Sequence, residues 1–347
     1  MVRLGFIGAG WWATTNHMPI LAARQDVEMV GVCRLGTAEL RLVQERFGFR
    51  VATEDVRTLL RTPLDGVVIS SPHALHFEHA RMALEAGCHV MIEKPMATRH
   101  EDARAILDLA LRLERHVVVP YGWNYRPFVR VARQWLDEGA VGELEHVNLQ
   151  MASPIRGLLE GTNVEMGGPI FQPDAATWAD PIVAGGGYAH AQLSHATGLL
   201  FYLLPELRAE KVFAFMSAPR ARVDLFDAIA VRYRGGALGT VGGAGAIPRG
   251  LKFHLDLRIF GREGMLLLDI ERERLELRRE DGDDRAMPID PGEGAYRCDG
   301  PPHRFVDLIR GLTTENPSDA TVGERSVGLI DAAYRSAVTG QAEWTPG

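Results

Sequence analysis

Gly8-Ala9-Gly10-Trp11-Trp12-Ala13 follows directly on the apolar run Val2 to Ile7 and opens a segment of helical character. This spacing constrains the chain more than any other feature, because it asks a strand to reverse tightly and feed a helix packed against it. Gly8 permits the reversal, Gly10 lets a phosphate group approach the backbone, and Ala13, standing for a third glycine, allows close helix–strand contact. The first N–H groups of the helix then face an anion. A tight glycine turn before any helix is the plainer reading. The strand before and the helix after favour a dinucleotide-binding turn, lined by Gly8, Gly10, Trp11, Trp12 and Ala13.

The rest of the first 120 residues continues the pattern. β-rich runs at Val27 to Cys33, Gly66 to Ile69, His89 to Ile92 and Val117 to Val119 alternate with helical stretches at Thr37 to Phe47, Leu75 to Ala86 and His100 to Arg115. Such alternation implies a parallel sheet covered on both faces. From about Tyr121 the pattern changes. A helix over Phe128 to Glu138 leads into runs at Glu145 to Met151, Lys211 to Phe215, Ala228 to Tyr233, Gly239 to Gly242, His254 to Phe260 and Met265 to Ile270, several joined by glycine turns. These read as antiparallel strands. The expected fold is α/β: a Rossmann dinucleotide-binding domain over residues 1–122, then an α+β domain with an open, mainly antiparallel sheet over 123–347, for substrate binding and oligomerisation. Ser153 to Ala184, rich in glycine, proline and small residues, reads as a long loop over the site, and Val322 to Thr339 as a last helix.

Composition narrows the functions. A 46% hydrophobic, 24% charged chain of 347 residues is that of a soluble globular protein with room for two cores. Net charge is −7 with no basic block, which argues against nucleic acid as a partner. No secretory leader and no apolar run of membrane-spanning length stand out, so a cytoplasmic protein without membrane contact is expected. Cys33, Cys88 and Cys298 lie far apart outside any C-x-x-C pattern and read as reduced thiols. His73, His76 and His79 form a stripe without the partners of a closed metal site, so no metal is expected.

Glu93-Lys94-Pro95 follows the strand His89 to Ile92, where an open parallel sheet directs side chains into the ligand crevice. Further on, Trp178-Ala179-Asp180-Pro181 and Gly185-Gly186-Gly187 precede a helical stretch, Tyr188 to Leu204, that carries His195. With the N-terminal turn, these motifs in this order resemble the Gfo/Idh/MocA family over nearly the whole chain. The resemblance implies an NAD(P)-dependent oxidoreductase acting on a secondary hydroxyl of a sugar, cyclitol or derivative. Lys94 would bridge the nicotinamide region and that hydroxyl, and His195 would serve as general acid/base, for which its ordinary pKa near 6.5 is suited. Ser71, Pro72, His73 and His76 would flank the coenzyme together with Glu93 and Trp178. Asn124, Tyr125 and Gln192 are the further substrate-facing candidates, although Tyr125 reads equally well as packing at the domain junction. The family also implies a homo-oligomer, dimer or tetramer.

Two positions depart from the usual pattern. The family commonly carries a carboxylate one helical turn before the histidine, and here that position is Ala191. Residues at i and i+4 share a helix face, so the ordinary orienting acid of the histidine is missing. His190, about 140° around an α-helix from His195, is a poorer substitute than Gln192. The absence leaves open a redox-neutral member of the family, a glycosidase or epimerase that oxidises transiently; a regulator that binds the coenzyme without turnover is opposed by the presence of both Lys94 and His195. The second departure lies at the end of the second strand, where Cys33-Arg34-Leu35-Gly36 offers an arginine in place of an acid. An acid there holds a ribose 2′-hydroxyl and an arginine accommodates a 2′-phosphate, so Arg34 favours NADP over NAD.

Overall fold

The computed structural model describes residues 1–248 and 250–345. Its first half runs β1 (Val2–Ile7), α1 (residues 11–22), β2 (Val27–Cys33), α2 (Thr37–Phe47), β3 (Val51–Thr53), α3 (Val56–Leu60), β4 (Gly66–Ile69), α4 (His76–Glu85), β5 (His89–Ile92), α5 (His100–Arg112) and β6 (Val117–Val118). The six strands form one parallel sheet in the order β3-β2-β1-β4-β5-β6. The period-2 alternation of a strand divides its side chains between two separate cores. Val2, Leu4 and Phe6 of β1, Val68, Met91 and Val118 enter one core, while Ile7, Val67, Ile69, Val90, Ile92 and Val117 enter the other. Strands apolar on both sides fit only a sheet covered on both sides.

The second half begins with α6 (Pro127–Asp137) and β7 (Leu144–Ala152), and the helix α7 (residues 188–203) follows the long connection. Strands β8 (Ala209–Ser217), β9 (Phe226–Tyr233), β10 (Leu238–Ala244), β11 (His254–Gly261), β12 (Gly264–Asp269), β13 (Arg274–Arg279), β14 (Arg285–Pro288) and β15 (Glu343–Trp344) join β7 in a nine-stranded sheet, ordered β14-β13-β12-β11-β7-β10-β9-β8-β15. All its pairs are antiparallel except β7 with β10. The connection read as loop carries three short helical turns, Arg156–Leu159, Ala175–Ala179 and Pro181–Ala184, the last two capped by the Asp174 and Asp180 carboxylates.

Two helices close the chain. α8 (Gly300–Ile309) returns to the first sheet, where Phe305, Val306 and Leu308 join the core beneath β1. α9 (Ala320–Thr339) starts on the Asp319 side chain, which accepts from Val322 N at 2.9 Å, and ends at Gly340 in the left-handed conformation. Between them Val119 N donates to Ser318 O (2.8 Å) and Asn316 Nδ2 to Val117 O (2.8 Å), so the chain end laces onto β6. Among the described residues no helix is long and apolar enough to cross a membrane.

Candidate active site

The glycine turn takes the conformation its composition asks for. Gly8 sits at φ +85°, and a Cβ there would meet the Ser71 amide nitrogen at 2.4 Å, so no other residue fits. Gly10 is exposed, and a Cβ built on it would meet nothing within 4 Å. The space in front of the helix N-terminus is therefore open, as a pyrophosphate requires. Ala13 is buried behind it.

α1 holds a π-helical turn, Ala13–His17, and such turns, closing i to i+5, bring residues five apart onto one side. Trp12 and His17 both use this: Trp12 Nε1 donates to Glu93 Oε1 at 2.7 Å and His17 Nε2 reaches the same oxygen at 2.5 Å. Glu93 Oε2 accepts from the Lys94 amide (3.1 Å). Burial would raise the Glu93 pKa, but the His17 hydrogen bond and the charges of His17 and Lys94 outweigh it and hold the carboxyl below its ordinary value. Glu93 is thus a buried carboxylate that fixes the loop after β5.

From that loop Lys94 enters the cleft between the domains. Its ammonium donates to the Ala191 carbonyl of α7 at 2.6 Å and lies 5.9 Å from the centre of the Trp178 ring. Burial lowers its pKa, with Glu93 opposing. The main chain of Ala191 thus contacts the ammonium at the position where a carboxylate is absent.

His195 lies three residues further along α7 from Gln192, 5% exposed, walled by the rings of Tyr296 (4.8 Å between centroids), Trp123 (5.8 Å) and Tyr121 (6.3 Å). Its Nδ1 is buried with no hydrogen-bond partner among the described residues, which leaves Nε2 as the nitrogen open to the cleft. Burial, reinforced by the Lys94 charge, pushes its pKa well below the ordinary value. The imidazole is neutral at physiological pH, the state of a proton acceptor. Asp224 sets the start of its helix: its carboxylate accepts from Gly187 N (2.7 Å), Ala189 N (2.9 Å) and Tyr334 Oη (2.7 Å). A carboxylate is favoured at a helix N-terminus.

Other candidates from the sequence fall into two groups. Gln192 is part-exposed, and its amide makes no hydrogen bond among the described residues. Trp178 and His73 stack edge to face at 6.0 Å, with His73 Nδ1 2.9 Å from Ala184 O, and both flank Lys94. Pro72 lies part-exposed beside them. Several other candidates have polar atoms engaged within the protein. His76 is fully buried with Nδ1 at 2.7 Å from Pro95 O and Nε2 at 2.8 Å from Ser71 O, and so brackets two loops. The Ser71 hydroxyl is engaged by His79 Nδ1 (2.8 Å). The Trp12 indole and the Glu93 carboxylate hold each other and the β5 loop. Asn124, fully buried, donates through Nδ2 to Pro317 O (2.9 Å) and Gly198 O (3.4 Å) while its Oδ1 has no partner among the described residues, and Tyr125 Oη pairs with Ser318 Oγ (2.6 Å), so both tie the start of the second domain to later parts of the chain. His190 lies in a second π-helical turn, Ala189–Leu193, where α-helical angles do not apply, and packs on Tyr334 (4.7 Å). Arg34 Nε and Nη1 donate to Leu35 O (3.0 Å) and Ala9 O (2.9 Å), which fixes its side chain beside the glycine turn. Among the described residues no group of three or more His, Cys, Asp or Glu side chains is arranged to hold a metal ion.

Tyr121, Trp123 and above all Tyr296 were not singled out from the sequence. Tyr296 arrives on the loop between β14 and α8, its hydroxyl donating to Pro120 O at 2.8 Å.

A glycine turn at the carboxyl ends of a parallel sheet, facing a second domain whose histidine-bearing helix meets a buried lysine, defines a two-domain protein of the dinucleotide-binding kind. Residues 2–121 match the model described as oxidoreductase family, NAD-binding Rossmann fold, and residues 129–267 match the Gfo/Idh/MocA C-terminal domain. The chain belongs to the Gfo/Idh/MocA family. Among its relatives are D-glucoside 3-dehydrogenase of Escherichia coli K12, 33% identical over 178 residues (49% of this chain, 50% of the relative), and levoglucosan dehydrogenase of Pseudarthrobacter phenanthrenivorans, 29% identical over 244 residues (65% and 61%). The matches thus span half to three-fifths of these relatives. The fold is shared with a levoglucosan dehydrogenase structure in complex with NADH and levoglucosan, at TM-score 0.80, 21% identity and full coverage of both chains.

Proposed function

We propose that the protein transfers a hydride between a nicotinamide coenzyme and a secondary hydroxyl of a sugar, cyclitol or derivative. The observation that carries this reading is the meeting of Lys94, from the first domain, with the His195 helix of the second across one buried cleft. The bound coenzyme would supply the hydride acceptor. Gly8, Gly10, Trp11 and Ala13 would hold its pyrophosphate, Arg34 its adenosine, and Trp178, Pro72 and His73 would flank its nicotinamide end.

The protein's own residues then divide the work. The Lys94 ammonium lowers the energy of an alkoxide forming beside it, an electrostatic effect enlarged by exclusion of water. His195 Nε2 takes the hydroxyl proton, and its depressed pKa keeps it unprotonated for the task. The aromatic wall of Tyr121, Trp123 and Tyr296 holds the ring in place. Gln192 offers a neutral donor and acceptor for a neighbouring hydroxyl. Arg34 favours a 2′-phosphate, hence NADP, over NAD.

Three free cysteines, two of them buried, fit a reducing compartment such as the cytoplasm. The exposed face of the second sheet, carrying Phe213 and Phe215, fits association with a second copy. The test is a panel of glycosides, free sugars and cyclitols with NAD⁺ and NADP⁺. Reduced coenzyme formed in step with a keto product supports the reading. Conversion with no net coenzyme change would replace it by a redox-neutral reaction, and binding without conversion by a sensor.

A further inference from the structure

The connection between β7 and α7 crosses the coenzyme cleft from one end to the other, and its contacts with the first domain are specific. Trp11 Nε1, on the first turn of α1, donates to Gly167 O at 2.5 Å. Gly168 lies so close to that indole that a Cβ on it would sit 2.8 Å from Trp11 Cδ1. Three residues on, the Phe171 ring lies 4.4 Å from the Arg34 guanidinium carbon and packs against the first domain's core. Seven residues further, Trp178 lies over Lys94. The segment thus bears one aromatic ring at the β2 end of the cleft and another at the lysine end.

Arg34 is held for a flat contact. Two of its nitrogens are committed to the Leu35 and Ala9 carbonyls, which fixes the plane of the guanidinium, and Phe171 covers one face of that plane. A guanidinium so fixed offers its other face to a planar base, because bases stack on arginine planes as they do on aromatic rings.

We propose that residues 162–178 form a strap over the coenzyme, in which Phe171 backs Arg34 as the seat of the adenine ring and so acts as a positioning residue for the adenosine half. The inference rests on the nicotinamide-coenzyme reading above. It adds that affinity for the adenosine half is set in part by a residue of the second domain, so that the two halves of the coenzyme are read by different contacts.

Titration calorimetry of the full chain with NAD⁺ and with nicotinamide mononucleotide, which lacks the adenosine, separates these claims. Phe171→Ala should weaken NAD⁺ about tenfold, because the guanidinium on which the base stacks loses its backing, and leave the mononucleotide within twofold. Phe171→Leu, which keeps apolar bulk without a flat ring, should discriminate in the same direction and guards against misfolding of the alanine variant. Hydrogen exchange of residues 162–172 in the wild-type protein should slow with NAD⁺ and not with the mononucleotide. Unchanged NAD⁺ affinity in both variants, or equal loss for the two ligands, overturns the strap. A wild-type protein that binds neither nicotinamide ligand overturns the coenzyme reading itself, and the strap with it.

Discussion

Restoring a carboxylate at position 191 probes the departure that most sets this site apart. Ala191 is 2% exposed, and its carbonyl already holds the Lys94 ammonium at 2.6 Å, so an aspartate side chain there falls beside both Lys94 and His195. At a separation of roughly 5 Å and an effective dielectric of about 20, one charge pair is worth about 3 kcal/mol, or about two pKa units. Desolvation of the new carboxylate opposes this, and a net rise of about one unit in the pKa of His195 is expected. His195 works as a base when neutral. The ascending limb of kcat/KM for alcohol oxidation therefore starts, in the wild-type enzyme, below the ordinary histidine value, and moves up by about one pH unit in Ala191→Asp. Ala191→Asn, neutral and of the same shape, should leave the limb in place, and His195→Ala should remove it. A limb unmoved by Ala191→Asp and still present in His195→Ala would mean that another group takes the proton.

Gly10→Ala should fold normally, since nothing occupies its Cβ position, yet weaken coenzyme at least tenfold in calorimetry by crowding the phosphates; Gly8→Ala, strained at positive φ and blocked by the Ser71 backbone, should instead lower folded yield and Tm. Arg34→Ala should weaken NADP⁺ more than NAD⁺, by about 1.5–3 kcal/mol for the lost phosphate contact, and equal affinities in wild type would refute the preference. Burial pushes His190 down to about 4, so the unfolded chain binds its proton first: the stability this neutral, buried imidazole contributes is complete above about pH 6.5 and declines as pH falls toward 4. Thermal unfolding between pH 7.5 and 4.5 should show that decline, reduced in His190→Gln; an identical pH slope in both would refute it.

The parts of this molecule legible in sequence are those specified locally. The strands β2, β4 and β5 were read with their observed ends, because apolar runs bounded by turn residues carry their own signal. β3 and α3, three and five residues long, carry too little periodicity to read, and β13 hides its two inward leucines, Leu275 and Leu277, among arginines and a glutamate that form surface ion pairs. Lys94 and His195 stood out because a motif marks each. Tyr296 did not, for it lies in an irregular loop about a hundred residues beyond the histidine it touches, and only the tertiary fold joins them. The partners of Asn124 are hidden in the same way, since its acceptors, Gly198 and Pro317, lie 74 and 193 residues away. The π-helical turns in α1 and α7 also had no sequence signal, and the one in α1 lies where Trp12 and His17 reach Glu93.

The central claim is that Lys94 supports hydride transfer in a coenzyme-bound cleft. The direct test compares wild type with Lys94→Met, a substitution that keeps the length and apolar stem while removing the charge. In each, coenzyme binding is measured by calorimetry and coenzyme reduction by absorbance, with the best glycoside or cyclitol of the panel. The account predicts coenzyme affinity within about threefold and a fall in kcat of about 10²- to 10³-fold, the scale of one lost transition-state donor. Turnover within a few-fold of wild type in Lys94→Met would contradict it.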